Sequence, residues 1–445
     1  MPSVQDGLIH EATSLLALVD AIELFVEEHQ SQFTYNTDTS EFFKHIRTLA
    51  GLTKKRLVEI LEEAGRPNSD QVQLLREIAE EKDHWKVRHT YVKPAADAHT
   101  LNLPAPLIKM ASEHLGRVQN ADAQVVVLLT PETMYFHNRA RGSIGDKRAF
   151  LEIPYSQSRA FFSNVIIYHE LGHYVWASLS DEPRSPQFAS LVDAQKKAFD
   201  EILLPGIQNQ KNLEFSRRVL DNWTQELFCD LFALRHLGPA SSFALIDFLS
   251  LISTANREIE VTFDSEHPAL ALRFREQYQR LCEDGWVEAI SDMASDHTDL
   301  IRRLAAKPEE EYLFVYDDKA LPKQFIDAFT PVIPFVHALV AEIAPQAERP
   351  SEDFRRWRGE IEDCLLNGVV PSKLLIQGSS LCPTPVSMIN AAYCVYLSRL
   401  PELMNKLEGQ DPDNPEHRRK WINRLEGWTM KAIDDYHLLS LQGVS

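Results

Sequence analysis

Apolar residues recur at helical spacing along most of the chain. Leu15, Leu16, Leu18, Val19, Ile22, Leu24 and Phe25 do so within residues 8–28, which predicts an amphipathic helix. The same period predicts helices over 42–63 and 70–85, separated by the turn-forming Gly65-Arg66-Pro67-Asn68. Residues 94–106 read as a linker or surface crossing, and 107–115 as a short helix. The pattern then changes. The β-branched run 123–130 predicts a strand, as do 133–137 and 149–153, the last following the turn-rich 141–146 and closed by Pro154. From Ser158 the helical period returns. It predicts helices over 158–178, 188–204 (ended by Pro205-Gly206) and 212–237 (ended by Gly238-Pro239), then over 352–366, 385–400 and 418–439. Residues 313–316 read as a short strand. The expected class is α+β and mostly helical, with one small β-sheet. Three domains are expected: an N-terminal helical domain (1–95), a mixed domain (96–290) and a C-terminal helical domain (291–445).

Composition narrows the function classes. A formal net charge of -19 over 445 residues disfavours nucleic acid or an anionic membrane as a main partner, since both need basic patches. Residues 48–56 have the composition of a helix-turn-helix corner, but Glu59, Glu62 and Glu63 beside them argue against DNA. The five cysteines (Cys229, Cys282, Cys364, Cys382, Cys394) are dispersed with no C-x-x-C pair, which fits a reducing compartment. No basic region followed by an apolar run opens the chain, and the most apolar later stretch, 325–344, carries Asp327, His337, Glu342 and two prolines. The expectation is a cytoplasmic protein without a membrane span.

The chemistry concentrates at Tyr168-His169-Glu170-Leu171-Gly172-His173-Tyr174, an H-E-x-x-H motif in a predicted helix. Residues four apart share one helix face, so His169 and His173 can reach one metal ion. Two neutral imidazoles suit Zn²⁺, and Glu170 projects to the side, where it can act as a base instead of a ligand. Strands followed by such a helix are the arrangement expected of a zincin catalytic core. In such cores an edge strand beside the cleft can pair with an extended peptide, a role that residues 149–153 would fill.

A zinc held by two histidines needs a further protein ligand. Continuation of the motif as HExxHxxGxxH is excluded, because Trp176 and Leu179 stand at those later positions. The best candidate is Glu226, in the otherwise apolar 226–233, with Asp230 one turn later to accept the spare N–H of a ligand histidine. Asp200, Glu201 and His236 are fallback ligands. Cys229 could ligate or act as a redox switch, but reads first as a small packing residue.

A third island follows at Ser265-Glu266-His267-Pro268, with Arg273 six residues after the histidine. H-E-x-x-H, then E-x-x-x-D on a later helix, then His-Pro and Arg resembles the gluzincin metallopeptidases, particularly the HtpX-type proteases and CAAX prenyl endopeptidases, over roughly 105–285. The resemblance implies one Zn²⁺ per chain held by His169, His173 and Glu226, with Glu170 as general base and Asp230 behind a ligand. It further implies that His267 hydrogen-bonds the developing oxyanion and that Arg273 orients it or a substrate carbonyl. Two departures limit the transfer. Those relatives are usually membrane-embedded, and the alanine common before the aspartate is Cys229 here.

The expected function is therefore hydrolysis of a protein or peptide substrate by a zinc metalloendopeptidase. The alternative is a catalytically silent zinc-fold scaffold whose helical flanks bind a regulatory protein partner. The C-terminal third carries no ligand spacing and no Gly-rich phosphate loop, and reads as a helical cap.

Overall fold

The structure, a computed structural model, describes residues 4–30, 37–66, 69–100, 105–119, 124–130, 136–138, 148–154, 160–181, 185–206, 210–252, 266–306, 320–345, 350–376, 382–408 and 414–441. It is mostly helical with one small sheet, as the hydrophobic pattern predicts. The chain divides into two compact units, Met1–Ala105 with Gln119–Arg159, and Pro106–Val118 with Ala160–Ser445. This differs from the three domains expected. The strands group with the N-terminal helices, and the C-terminal helices group with the motif helix. Which distant segments share a core is set by non-local packing, which periodicity does not report.

In the first unit, α1 (Val4–Gln30), α2 (Thr37–Ala64) and α3 (Gln71–Thr100) pack together. Leu8, Leu15, Val19 and Ile22 of α1 share a core with Phe42, Phe43 and Ile46 of α2 and with Ile78 and Trp85 of α3. The buried Trp85 Nε1 donates to Thr53 Oγ1 at 3.0 Å, so its polar edge is met inside this core. α2 runs unbroken through Gly51, so the helix-turn-helix corner at 48–56 does not form. α3 likewise continues through Pro94, where a linker was expected. Pro94 removes one backbone donor, but Ala95, Ala96 and Ala98 beyond it are buried good helix formers, and packing holds the turn.

After α4 (Ala105–Gln119), most of which belongs to the second unit, come β1 (Gln124–Thr130), β2 (Phe136–Asn138) and β3 (Arg148–Pro154). The sheet order is β1-β3-β2. β3 pairs in parallel with β1 from Gln124↔Arg148 to Thr130↔Pro154, and antiparallel with β2 from Phe136↔Glu152 to Asn138↔Phe150. The strand assigned to peptide pairing is thus central, not an edge, and has no free rim there for a substrate. Its sequence carries the reason: β3 is buried almost continuously, the mark of an interior strand rather than an alternating edge. Phe150 packs against Phe42 and Tyr91, with ring centroids 5.5 and 5.2 Å away.

Beyond α4 the second unit continues with α5 (Phe161–Asn164) and, after a break at Val165-Ile166, α6 (Ile167–Asp181), where one helix was expected. The short α5 has no side-chain cap of its own at Ala160, and Glu426 supplies the acceptor. Its Phe162 N–H donates to Glu426 Oε1 at 3.0 Å, and Tyr393 Oη donates to the Phe162 carbonyl at 2.8 Å. Burial holds the Glu426 carboxyl up at about 7 against the backbone N–H groups of Phe161 and Phe162. α7 (Pro186–Ala198), capped by Ser185, runs into wider and tighter turns to Gly206. α8 (Gln210–Leu237) ends at Gly238, whose φ of 60° is left-handed and whose missing Cβ would lie 2.6 Å from Trp286.

The rest of the unit comprises α9 (Pro239–Ile252), α10 (Leu270–Glu283), α11 (Trp286–Ala289), α12 (Asp296–Ala305), α13 (Ala320–Phe329), α14 (Ile333–Ile343), α15 (Pro350–Leu366), α16 (Pro385–Cys394), α17 (Leu400–Glu408) and α18 (Pro415–Leu441). Among the described residues no single helix is long and apolar enough to cross a membrane; the bent pair Lys323–Phe329 and Ile333–Ile343, at 43°, passes that test together by length and composition. The strand expected at 313–316 lies outside the described residues.

Candidate metal centre

The centre is built where α6 packs against α8. α6 buries Val175, Leu171 and Ile167, and α8 buries Leu227, Phe228 and Leu231, so the two apolar faces fix the helices together. The closest approach is at Gly172. A Cβ added there would meet Cys229 Cα at 2.7 Å and Sγ at 3.1 Å, so only glycine allows it. Both helices then present their polar residues to one point. His169 and His173 come from adjacent turns of α6; Glu226, Cys229 and Asp230 come from positions i, i+3 and i+4 of α8.

Glu226 lies between the two imidazoles. Its Oε2 is 3.3 Å from His169 Nε2 and its Oε1 is 3.2 Å from His173 Nε2. The other ring nitrogens are also held. His169 Nδ1 is 3.0 Å from Asp230 Oδ1, and His173 Nδ1 is 3.0 Å from the Gln225 amide. Arg273 of α10 clamps Asp230 with two short bonds, Nε to Oδ2 at 2.6 Å and Nη2 to Oδ1 at 2.7 Å, and approaches Glu226 Oε2 at 3.4 Å. His267, just before α10, stands 3.8 Å from Glu226 Oε2.

Exposure gives the centre a floor and a mouth. His169, Asp230 and Arg273 are buried; Glu170 and His173 are half-buried; the His267 side chain is 41% exposed. The charges follow from that burial. Desolvation opposes the ionised Glu226, yet the hydrogen bonds from His169 and His173 hold its carboxyl well below the usual range. Desolvation likewise opposes the Asp230 carboxylate, and the Arg273 guanidinium holds it low. For His169, burial favours the neutral ring, but Asp230 and Glu226 on its two nitrogens outweigh it and lift the ring to about 10.

These residues fit a metal ion. Two carboxylates, Glu226 and Asp230, face one guanidinium here, and their partners hold both toward the ionised form. Glu226 Oε2 is buried beside His169 Nε2 at 3.3 Å and Arg273 Nη2 at 3.4 Å, yet none of these nitrogens reaches it with hydrogen-bond geometry, a shortfall that a cation would remove. Four donors around a zinc with bonds of about 2.0–2.1 Å lie roughly 3.3 Å apart, and the Glu226-to-imidazole separations match that spacing. His169, His173 and Cys229 each also offer a donor atom within 4.8 Å of one another.

The structure thus brings together His169, His173, Glu226 and Asp230, with Arg273 and His267 beside them. Arg273 has a different place from the one expected. It is buried, and both its short bonds go to Asp230, so it positions the carboxylate behind His169. The fallback ligands are elsewhere: Asp200 and Glu201 are exposed on the turn after α7, and His236 stacks on His114. Two contributors escaped the sequence reading. Gly172 carried a signal, since a glycine inside a helix costs about 1 kcal/mol relative to alanine and usually has a packing reason. Gln225 carried none beyond its place beside Glu226. Compared with protein-family models, curated proteins and solved structures, the chain finds no match.

Proposed function

We propose that the chain is a zinc-dependent peptidase of the gluzincin type. The observation that carries the reading is Glu226: a buried carboxylate standing 3.3 and 3.2 Å from the Nε2 atoms of both histidines of an H-E-x-x-H helix. His169, His173 and Glu226 would hold the ion. When bound, zinc supplies a Lewis acid that acidifies a water and polarises a carbonyl.

The protein's own groups do the rest. Asp230 accepts from His169 Nδ1, which fixes the ring and leaves Nε2 for the ion. Arg273 keeps Asp230 ionised and oriented. The Gln225 amide can donate or accept, so it meets His173 Nδ1 in either tautomer. Glu170, half-buried on the mouth side, takes a proton from the attacking water and delivers it to the leaving amine. His267, partly exposed beside Glu226, donates to the oxygen that gains charge as the carbonyl is attacked.

The test is Glu170→Gln. The variant should keep its zinc, by mass spectrometry, and lose cleavage of a peptide library by about 10²–10⁴-fold, the usual worth of a general base. Retained cleavage would remove Glu170 from the mechanism.

A further inference from the structure

Cys229 is the one residue of the centre that the peptidase scheme leaves unused. It sits three residues after Glu226, on the same face of α8, and is fully buried. The bare Cα of Gly172 admits its side chain against the motif helix: a Cβ there would be 3.0 Å from Cys229 Cβ and 3.1 Å from Sγ. Its Sγ, with the donor nitrogens of His169 and His173, falls in a group whose members lie within 4.8 Å of one another. In a tetrahedral zinc site a sulfur at about 2.3 Å and a nitrogen at about 2.0–2.1 Å stand roughly 3.6 Å apart.

We propose that Cys229 is a fourth protein donor to the ion held by His169, His173 and Glu226, so that a thiolate closes the resting site. This rests on the metal reading above and adds a state to it. A site with four protein donors has no open position, whereas a catalytic zinc needs one. Closure is reversible ligand exchange. The thiol gives up its proton when Sγ joins the ion and takes one back when it leaves, and nothing is oxidised or reduced. Opening follows from anything that draws the thiolate away, and Cys229→Ala makes the open state permanent. Alanine at 229 is smaller than the thiol it replaces, so the Gly172 contact survives.

The test uses cobalt(II) as a spectroscopic substitute. The purified full-length chain is stripped with a chelator and reloaded with one equivalent of Co²⁺. Visible d–d bands report binding, and a near-ultraviolet thiolate-to-cobalt charge-transfer band reports sulfur ligation. The same is done for Cys229→Ala and for a Cys282→Ala/Cys364→Ala/Cys382→Ala chain, which removes three cysteines that are not fully buried. The expected result is both kinds of band in the wild type and the triple variant, and loss of the charge-transfer band alone in Cys229→Ala. If Cys229→Ala does not load cobalt, the triple variant still decides: its charge-transfer band supports a buried thiolate donor and its absence overturns one. Visible bands without charge transfer in the wild type, or a band unchanged in Cys229→Ala, would reduce Cys229 to a packing residue. No cobalt binding by the wild type would overturn this proposal together with the metal reading. Peptide cleavage, measured in parallel, should be faster in Cys229→Ala. If neither chain cleaves while the bands behave as expected, the peptidase reading fails and the thiolate assignment stands.

Discussion

Tyr168 and His169 are neighbours in the chain, yet they face two different buried histidine clusters. Tyr168 Oη meets His114 Nδ1 at 3.0 Å, and His114 stacks on His236 with centroids 4.6 Å apart. His169 meets Asp230 and Glu226. Both clusters are walled by α6 and α8, and both are desolvated. Their electrostatics are opposite. Burial, with Arg117 and His437 nearby, pushes His114 down to about 3, and burial with His114 and Arg117 drives His236 well below its ordinary value. Two carboxylates lift His169 to about 10. A buried histidine is by default a neutral packing group; it becomes a candidate ligand when the fold brings carboxylates to both of its nitrogens. The comparison separates the candidate ligand cluster from the cluster held neutral by burial.

The comparison can be broken most severely through Arg273. In the metal-free chain, Arg273→Met leaves Asp230 and Glu226 buried without their guanidinium. Urea unfolding should show a loss of about 3–5 kcal/mol, the usual cost of removing one partner from a buried pair. A loss under about 1 kcal/mol would mean that the guanidinium is a bystander. The second cluster gives a smaller effect of distinct pH dependence. A histidine whose folded value is depressed stabilises the fold above its unfolded value of about 6.5 and loses that contribution as pH falls toward the folded value. Between pH 7 and pH 4 the wild type should therefore lose about 2–3 kcal/mol more stability than His114→Gln. Equal losses would show that the His114 ring is not held below its ordinary value. Smallest is Tyr168→Phe, which removes the hydroxyl from His114 and should cost about 1 kcal/mol at neutral pH, with zinc content unchanged. A fall in zinc content would show the two clusters to be coupled.

How much of this was legible depended on whether the information was local. His169, His173, Glu226 and Asp230 could be read because helix geometry places i and i+4 together, and because acids among Leu227, Phe228, Leu231 and Phe232 need a reason to be there. The helices over 42–63, 107–115 and 212–237 were legible for the same cause, as each carries its own period. What failed was non-local. The interior place of β3 depends on how it pairs with both β1 and β2, and the burial of Arg273 depends on which face α10 turns to α8. Pro94 misled because a local helix breaker was overruled by packing around Ala95 and Ala96. Gly172 was legible in principle, and its meaning appeared only with Cys229 opposite it.

The most direct test of the central claim is the metal content of purified wild type and Glu226→Ala, measured by mass spectrometry beside a peptide-library cleavage assay. The account predicts about one zinc per wild-type chain, as a single site requires, its loss or strong weakening in the variant, and cleavage only by the wild type. A wild type that takes up no zinc after reconstitution, or a variant that keeps it fully, would contradict the account.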